Sequence, residues 1–261
     1  MFTNAIVRVP GSNFADGLTS VDLGVPEFGK VMEQWEAYCA ALKTCGLIVM
    51  RLEADLDHPD STFVEDTAVL TPHGAMLTRP GAASRLGEVA AIAETVRGFY
   101  PTAVQIVEPG TLDGGDICEA GGHFFLGISH RTNEEGARQL AEHLAKEGYT
   151  SSNVDVRGMT SILHLKSGIS YIGPGPGGEE TLVVMEEMAD WPEFAAYDLL
   201  RVSEAESYAA NCVRVNGRVL VAAGYPEMTE ELIRRGYDPL VLDMSEFRKM
   251  DGGLSCLSLR F

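Results

Sequence analysis

Apolar and polar residues follow one recurring order along this chain. A short β-like run meets a turn containing glycine, and a second β-like run leads through a Gly- or Pro-bearing corner into an amphipathic helix. Three copies are clear: strands 67–70 and 75–78 with a helix near 84–96; strands 117–119 and 123–128 with a helix over 133–145; and strands 212–215 and 218–222 with a helix over 229–235. Thr132 and Glu135 predict a capping box at the start of the second helix.

The turn glycines of these copies predict a repeat. Gly74 and Gly122 lie roughly 48 residues apart, and one further copy fits between Gly122 and Gly217. We interpret residues 164–172 as that copy, in degenerate form, with its turn at Gly168. The N-terminal stretch supplies a fifth unit, with strands over 5–9 and 47–52 and a helix near 27–44.

Five such units would bury their apolar faces against one another in an α/β ring. An ordinary α/β domain with coincidental spacing is the alternative. Residues 173–178, the segment richest in Gly and Pro, are interpreted as a loop rather than a linker, so we expect residues 1–261 to form one domain.

Composition narrows the class of partner. The net charge of −18 disfavours nucleic acids and acidic membrane surfaces, and it suits a cationic small molecule. No apolar run approaches the roughly 20 residues of a membrane span, and the N-terminus lacks the pattern of a signal peptide, so we expect a cytoplasmic location. Five cysteines without a C-x-x-C pair argue against a disulfide framework and against structural zinc.

Three separated segments carry the parts of a nucleophilic cysteine enzyme: a thiol at Cys256, an imidazole at His164 and a carboxylate at Asp113. The glycines before Cys256 allow close backbone approach or a positive φ, which an exposed reactive side chain often needs. Apolar neighbours on both sides of His164 predict that it lies in a sheet. A core cysteine, a core histidine and a simple Asp-Gly-Gly-Asp turn are the structural alternatives.

An acidic segment points to a cationic ligand. Asp60, Glu65 and Asp66 fall within residues that otherwise read as a β-run, where carboxylates are disfavoured. A planar guanidinium, the natural partner of carboxylates, would offset that cost, although a solvated strand edge is the alternative. Arg85 and Arg131 occupy equivalent corners of two units, where they could clamp a carboxylate or form surface ion pairs.

Taken together, the chain resembles the dimethylarginine dimethylaminohydrolases, within the guanidine-modifying (pentein) superfamily that includes arginine deiminase. The matching stretches occur in family order over most of the chain: Phe63-Val-Glu-Asp-Thr-Ala-Val69, Thr78-Arg-Pro-Gly81, Leu112-Asp-Gly-Gly-Asp116, Phe124-Phe-Leu-Gly-Ile-Ser129, His164-Leu-Lys-Ser167 and Asp251-Gly-Gly-Leu-Ser-Cys256. Each stretch is weak evidence, and the ordered set is specific.

The resemblance implies a five-bladed α/β propeller with pseudo-fivefold symmetry and a reaction that needs no metal or organic cofactor. It implies that Cys256 attacks the guanidinium carbon of an Nω-methylated arginine, that His164 acts as general acid and base, and that Asp113 holds His164. A covalent thiouronium intermediate would then hydrolyse to L-citrulline.

The resemblance also implies a set of binding residues. Asp66, with Glu65 and Asp60, would hold the substrate cation, and Arg85 and Arg131 would hold its carboxylate end. Leu18 would lie on a mobile lid and contribute a backbone carbonyl, and the backbone around Met250 and Asp251 would line the site.

Two alternatives stay open. Arginine deiminase or another amidino hydrolase or transferase lies within the superfamily, but Lys166 stands where the deiminase pattern has an acid, which favours methylated arginine. A non-catalytic module that binds cationic amino acids belongs to a different class and would need no cysteine. The sequence leaves open whether the chain is a homodimer.

Overall fold

The computed structural model describes residues Met1–Phe261, and its strands form five three-stranded sheets. The strands are β1 (Asn4–Arg8), β2 (Ile48–Leu52), β3 (Ala68–Leu70), β4 (Ala75–Leu77), β5 (Val104–Gln105), β6 (Ile117–Ala120), β7 (His123–Ile128), β8 (Thr150–Asp155), β9 (Ile169–Pro174), β10 (Glu180–Met185), β11 (Asp198–Val202), β12 (Val213–Val215), β13 (Arg218–Ala222), β14 (Asp238–Leu242) and β15 (Leu259–Arg260). The helices are α1 (Phe28–Thr44), α2 (Glu88–Phe99), α3 (Glu134–Lys146), α4 (Leu165–Gly168), α5 (Pro226–Arg234) and α6 (Ser245–Arg248).

Each sheet repeats one pattern: its middle strand is antiparallel to one neighbour and parallel to the other. We call these sheets blades 1 to 5, with blade 1 as β15-β1-β2 and the others following in chain order. A parallel neighbour requires a crossover connection. Helices α1, α2, α3 and α5 supply it in four blades, and blade 4 uses 3-10 turns instead. The five repeated units confirm the predicted five-bladed α/β propeller.

The core follows the ring of blades. Separate apolar clusters join Ile6 of blade 1 to Leu77 of blade 2, and Met76 of blade 2 to Phe124 of blade 3. A larger cluster joins blades 3, 4 and 5, and another joins blade 5 back to blade 1. Each blade therefore buries its apolar faces against both neighbours, which is the physical reason for the repeat.

The fourth unit was predicted at the wrong place. Residues 165–168 form α4, and the hairpin of blade 4 runs from β9 to β10 through the Gly-rich loop at 175–178. Gly168 does not turn the chain. A Cβ atom there would lie 2.8 Å and 2.9 Å from the sulfur atoms of Met188 and Met185, so this glycine permits close packing.

The predicted capping box was also wrong. Helix α3 starts at Glu134, and its N-cap is Asn133, whose side chain accepts a hydrogen bond from the Gly136 N–H at 2.8 Å. The Thr132 hydroxyl donates instead to buried Asp116. Among the helices, none combines the length and apolar character that crossing a bilayer requires.

Candidate active site

A cavity of about 30 Å³ collects side chains from several blades. Its lining includes Leu18, Asp60, Phe63, Asp66, Arg85, Arg131, Leu163, His164, Met250, Asp251, Gly252 and Cys256. Most of the predicted site residues therefore meet here, although they come from distant parts of the chain. We call this the small cavity.

The imidazole of His164 is held by Asp113 behind the small cavity. His164 Nε2–H donates to Asp113 Oδ2 at 3.0 Å, and Asp113 Oδ1 accepts the Gly81 N–H at 2.8 Å. Contrary to prediction, His164 is not in a sheet but is the N-cap residue of α4. The α4 backbone is anchored because the Leu165 N–H donates to Asp116 Oδ1 at 3.0 Å.

Two glycines explain the Asp-Gly-Gly-Asp motif. A Cβ atom on Gly114 would lie 2.0 Å from the carbonyl oxygen of Glu65. A Cβ atom on Gly115 would lie 2.7 Å from His164 Nδ1 and 2.9 Å from Asp66 Oδ1. Any larger residue would therefore push the histidine or the carboxylate away, so the motif is a close-contact segment as well as a turn.

Surrounding carboxylates favour the imidazolium form of His164. Burial by itself lowers the pKa of this side chain, but Asp66, Asp116 and Asp113 outweigh burial and raise the pKa to about 9. Near neutral pH the ring is therefore protonated and can act as a proton donor.

The thiol of Cys256 lies in a 3-10 turn over Ser255–Leu257 and accepts a hydrogen bond from the Gly253 N–H at 3.4 Å. Burial, together with the negative charges of Glu65 and Asp66, raises the pKa of Cys256 to about 12. Without a bound cation, the thiol is therefore neutral beside a charged imidazolium.

The turn before Cys256 depends on close backbone contacts. A Cβ atom on Gly252 would lie 2.4 Å from the Phe63 ring, and one on Gly253 would lie 2.5 Å from Asn211 Oδ1. The positive φ falls instead on Asp251, at 56°. The predicted close approach is confirmed at the glycines, and the left-handed residue is the aspartate before them.

The acidic segment is not the predicted β-run. Its residues form two 3-10 turns, Pro59–Thr62 and Val64–Thr67, and the strand begins only at Ala68. These turns aim Asp60 and Asp66 into the small cavity. Asp60 accepts the Leu18 N–H at 3.0 Å, and burial raises the pKa of the Asp60 carboxyl.

Asp66 is held as an anion by its neighbours. Its Oδ2 accepts from Arg85 Nη1 at 2.5 Å, and its Oδ1 accepts the Gly115 N–H at 2.8 Å. Burial raises the pKa of Asp66, but the charges of His164 and Arg85 outweigh it and lower the pKa overall. A fixed negative charge therefore stands in the small cavity.

The two arginines are not equivalent. Arg85 is buried, binds Glu88 through Nε and Nη2 at 2.9 and 2.8 Å, and also donates to the carbonyl oxygens of Asp60 and Phe63. Most of its donors are therefore occupied inside the protein. The guanidinium of Arg131 makes one ion-pair contact, to Asp113 at 3.9 Å, and its N–H groups form no hydrogen bond with the protein.

The segment predicted to form the lid, residues 11–24, is tied to the loop before Cys256. The Ser20 N–H donates to Asp251 Oδ2 at 2.6 Å, and the Thr19 hydroxyl donates to the Lys249 carbonyl at 3.1 Å. Leu18 lines the small cavity, and its backbone N–H donates a hydrogen bond to the Asp60 carboxylate.

Glu65 is the predicted substrate residue that the structure places away from the small cavity. Its carboxylate binds Lys166 Nζ at 2.6 Å and the Ser255 hydroxyl at 2.7 Å. Lys166 also points to this other side, so the residue does not border the space where a guanidinium would lie. The sequence argument that Lys166 favours methylated substrates, because it replaces an acid, therefore has no support from the geometry of the small cavity.

A second cavity of about 320 Å³ meets the small cavity at Leu163, Asp251 and Cys256. We call it the large cavity. Its lining includes the apolar side chains Ile162, Leu163 and Met185. Cys256 therefore borders a tight space lined by several charged side chains and a larger space lined by few of them.

Several supporting residues were missed from the sequence. Glu88 neutralises Arg85, and Asn211 bonds both the Lys166 carbonyl and the backbone N–H of Ser255. Asp116 accepts hydroxyl hydrogen bonds from Ser129 and Thr132, and burial raises the pKa of Asp116 to about 6. Of these residues, only Asp116 could have been identified from the sequence, because it belongs to the Asp-Gly-Gly-Asp motif.

Asp66, Asp113 and His164 offer ligand atoms within 4.8 Å of one another. Both oxygens of each aspartate already accept hydrogen bonds, and His164 Nε2 is bound to Asp113. The potential ligand atoms are therefore already engaged in hydrogen bonds within the protein, and they do not form an open set that could coordinate a metal ion.

No protein-family model matches this chain. The chain is 46% identical over 262 residues, covering 100% of both proteins, to the N(G),N(G)-dimethylarginine dimethylaminohydrolase of Pseudomonas aeruginosa. A solved structure of that organism's dimethylarginine dimethylaminohydrolase, a cysteine-to-serine variant complexed with citrulline, matches with a TM-score of 0.95 and 45% identity over 100% of both chains. A solved dimethylarginine dimethylaminohydrolase with a histidine-to-glycine change, in an adduct with S-methyl-L-thiocitrulline, matches with a TM-score of 0.94, also at 45% identity and 100% coverage of both chains.

Proposed function

Because the chain belongs to the dimethylarginine dimethylaminohydrolase family of hydrolases, we propose that it hydrolyses Nω-methylated arginines, asymmetric dimethylarginine and monomethylarginine, to L-citrulline and a methylamine. The observation that carries the proposal is the meeting of Cys256, His164 and Asp66 with Arg131 in one small cavity. These groups provide a nucleophile, a proton donor, an anchor for a cation and an anchor for a carboxylate.

The charges of the small cavity suit an amino acid with a guanidinium side chain. Asp66 and Asp60 hold the planar cation, whose N–H donors match carboxylate oxygens. Arg131, which keeps free donors, binds the substrate carboxylate. Arg85 acts indirectly here, because its ion pairs keep Asp66 charged and in place.

Catalysis begins when the substrate cation lies beside Cys256 and offsets the negative charge of Glu65 and Asp66. The thiol then gives its proton to solvent water, because His164 is already protonated, and Sγ forms a bond to the guanidinium carbon. His164 donates its proton to the methylated nitrogen, the carbon–nitrogen bond breaks, and the amine leaves a covalent thiouronium intermediate. A relative with a histidine-to-glycine change forms an adduct with S-methyl-L-thiocitrulline, which supports the covalent intermediate.

Hydrolysis completes the cycle. Neutral His164 takes a proton from a water molecule, whose oxygen attacks the thiouronium carbon. The carbon–sulfur bond breaks as the proton of the added hydroxyl moves to the sulfur, so that citrulline forms and Cys256 recovers its thiol. The large cavity borders Cys256 and includes the apolar side chains Ile162, Leu163 and Met185, and it offers room for N-methyl groups.

A substrate panel tests this proposal. Purified enzyme is assayed for citrulline release from asymmetric dimethylarginine, monomethylarginine and arginine, and we expect kcat/KM to favour the methylated compounds. A preference for arginine would favour a deiminase instead. No turnover of any of them, with slow labelling of Cys256 by a haloacetamidine, would favour a non-catalytic binding module.

Cys256→Ser should lower kcat by more than about 10⁴-fold, because a hydroxyl lacks the nucleophilicity of a thiolate. Cys45→Ser is the matched control, since Cys45 is partly exposed and lies outside both cavities. Retained activity in Cys256→Ser would remove the proposed nucleophile.

We also propose a cytoplasmic location for the enzyme. All five cysteines are free thiols, which suits a reducing compartment. Cell fractionation with an antibody against the native chain tests the location. A homodimer would appear as a doubled mass in light scattering, and the proposed chemistry needs only one chain.

A further inference from the structure

A buried polar cluster on the far side of the active site joins the two catalytic segments. It consists of Glu65, Lys166, Asn211 and Ser255. Lys166 follows His164 by two positions, and Ser255 directly precedes Cys256. Hydrogen bonds among these side chains therefore link the start of α4 to the turn that carries the nucleophile.

Each member of the cluster has a defined contact. Glu65 Oε1 accepts from Lys166 Nζ at 2.6 Å, and Glu65 Oε2 accepts from the Ser255 hydroxyl at 2.7 Å. Asn211 donates to the Lys166 carbonyl at 2.8 Å and accepts the Ser255 N–H at 3.0 Å. The Glu65 side chain is only 5% exposed, so its negative charge needs a partner within the protein.

We propose that Lys166 is a positioning and charge-compensating residue. Its ammonium ion neutralises Glu65, which lets that carboxylate hold the Ser255–Cys256 turn without leaving an unbalanced negative charge beside the sulfur. The inference rests on the proposed function only in taking Cys256 as the nucleophile. Lys166 does not line the small cavity, so it acts on the reaction through Glu65 and not by touching substrate.

The charges around Cys256 support this role. Glu65 raises the pKa of the thiol, and Lys166 lowers it. A second cation, Arg260, lies farther from Glu65, at 3.6 Å. The other titratable groups that line the two cavities bordered by Cys256 are Asp60, Asp66, Arg85, Arg131, His164, Tyr208, Arg248 and Asp251.

Two single substitutions should have opposite effects. Lys166→Met leaves Glu65 less compensated, so we expect iodoacetamide to alkylate Cys256 about 3–10-fold more slowly at pH 8. Glu65→Gln leaves the lysine charge unopposed, so we expect alkylation that is faster by a similar factor. The double variant should react within about 3-fold of the wild-type rate, because it removes both charges. Mass spectrometry of the peptide containing Cys256 separates this reaction from the other cysteines.

The controls separate charge from loosened structure. Lys166→Arg keeps the cation and should keep the alkylation rate, and Lys146→Met, an exposed lysine on α3, should change nothing. General loosening would make both single variants react faster, and that result would overturn the inference. If Lys166→Met does not fold, Glu65→Gln and the double variant still decide the question, because equal rates in Glu65→Gln and wild type contradict it.

Substrate kinetics give an independent readout. With asymmetric dimethylarginine, Lys166→Met should lower kcat and leave KM within about 2-fold, since the small cavity keeps its lining. A raised KM with an unchanged kcat would place Lys166 in substrate binding and overturn the inference. The alkylation test needs no turnover, so it can fail or succeed whether or not methylarginine is the substrate.

Discussion

At the scale of single residues, the chemistry depends on ionisation states that neighbouring charges determine. The types and order of Cys256, His164 and Asp113 were recognisable in the sequence because the reaction needs a thiol, an imidazole and a carboxylate. Their protonation states could not be predicted from the sequence. His164 is an imidazolium because Asp66, Asp116 and Asp113 surround it, and these residues come from other turns of the ring.

Replacing Asp113 with Asn should shift the pH dependence of catalysis. In the wild type, kcat/KM should fall as pH rises through about 9, because His164 then loses the proton that the leaving amine needs. Asp113→Asn removes one charge that raises the pKa of His164, so the alkaline limb should move to lower pH by about one unit.

The measurement is kcat/KM for asymmetric dimethylarginine between pH 6 and pH 10. Asp155→Asn, on the exposed end of β8, is the control and should keep the wild-type profile. An alkaline limb that stays in place in Asp113→Asn would show that another group controls it.

At the scale of elements, short turns and not the long helices position the site. Asp60, Asp66, Asp113, His164 and Cys256 all lie in or beside 3-10 turns or the short helix α4. Side-chain and backbone contacts between turns hold these segments, for example the Leu165 N–H on Asp116. Hydrophobic periodicity does not report such contacts, which is why the acidic segment and His164 were assigned to strands.

The close-contact role of Gly115 predicts a large effect from one methyl group. In Gly115→Ala the new Cβ would meet His164 Nδ1 and Asp66 Oδ1, so the histidine must move. We expect kcat to fall about 100-fold and unfolding free energy to drop by about 1–3 kcal/mol. Steady-state assays and urea unfolding followed by circular dichroism measure both changes.

Gly122→Ala is the matched control, because Gly122 lies in the β6–β7 hairpin turn with no atom within 4 Å of its Cβ position. It should keep activity and stability close to wild type. Equal behaviour of the two alanine variants would remove Gly115 from the positioning of His164.

At the scale of the whole molecule, the two ends of the chain close the ring. Strand β15 pairs with β1 in blade 1, and the backbones of Asn4 and Phe261 exchange hydrogen bonds of 2.8 and 3.0 Å. The Phe261 ring packs against Phe99 and Tyr100 at the end of helix α2. Cys256 lies just before β15, so the geometry of the nucleophile depends on this closure.

Deleting residues 259–261 should therefore damage both stability and activity. The deletion removes the β15 pairing and the buried side chain of Leu259, so we expect a loss of at least about 3 kcal/mol in unfolding free energy. Phe261→Ala keeps the backbone bonds and should cost only about 1–2 kcal/mol. Urea unfolding compares them, and equal midpoints for the two variants would contradict a closing role for β15.

Three of the β-hairpins could be predicted from short stretches of sequence. Alternating apolar residues and turn glycines specify the hairpins at 67–78, 117–128 and 213–222, because a strand pair and its tight turn depend on neighbours in the chain. The Asn216-Gly217 turn is one case, with Asn216 at a φ of 55°. The fourth unit was predicted at the wrong place because Gly168 of α4 and the glycines of the loop at 175–178 are equally plausible turn residues in the sequence.

The sequence alone determined the repeated unit and the kinds of side chain that carry the reaction, since both follow from short-range pattern and chemical need. Only the tertiary structure decided that Asp66 faces the small cavity while adjacent Glu65 binds Lys166, and that Arg131 rather than Arg85 keeps free donors. The physical reason is distance along the chain. Hydrogen bonds join groups such as Glu65 and Ser255, which are 190 residues apart, and only packing brings them together.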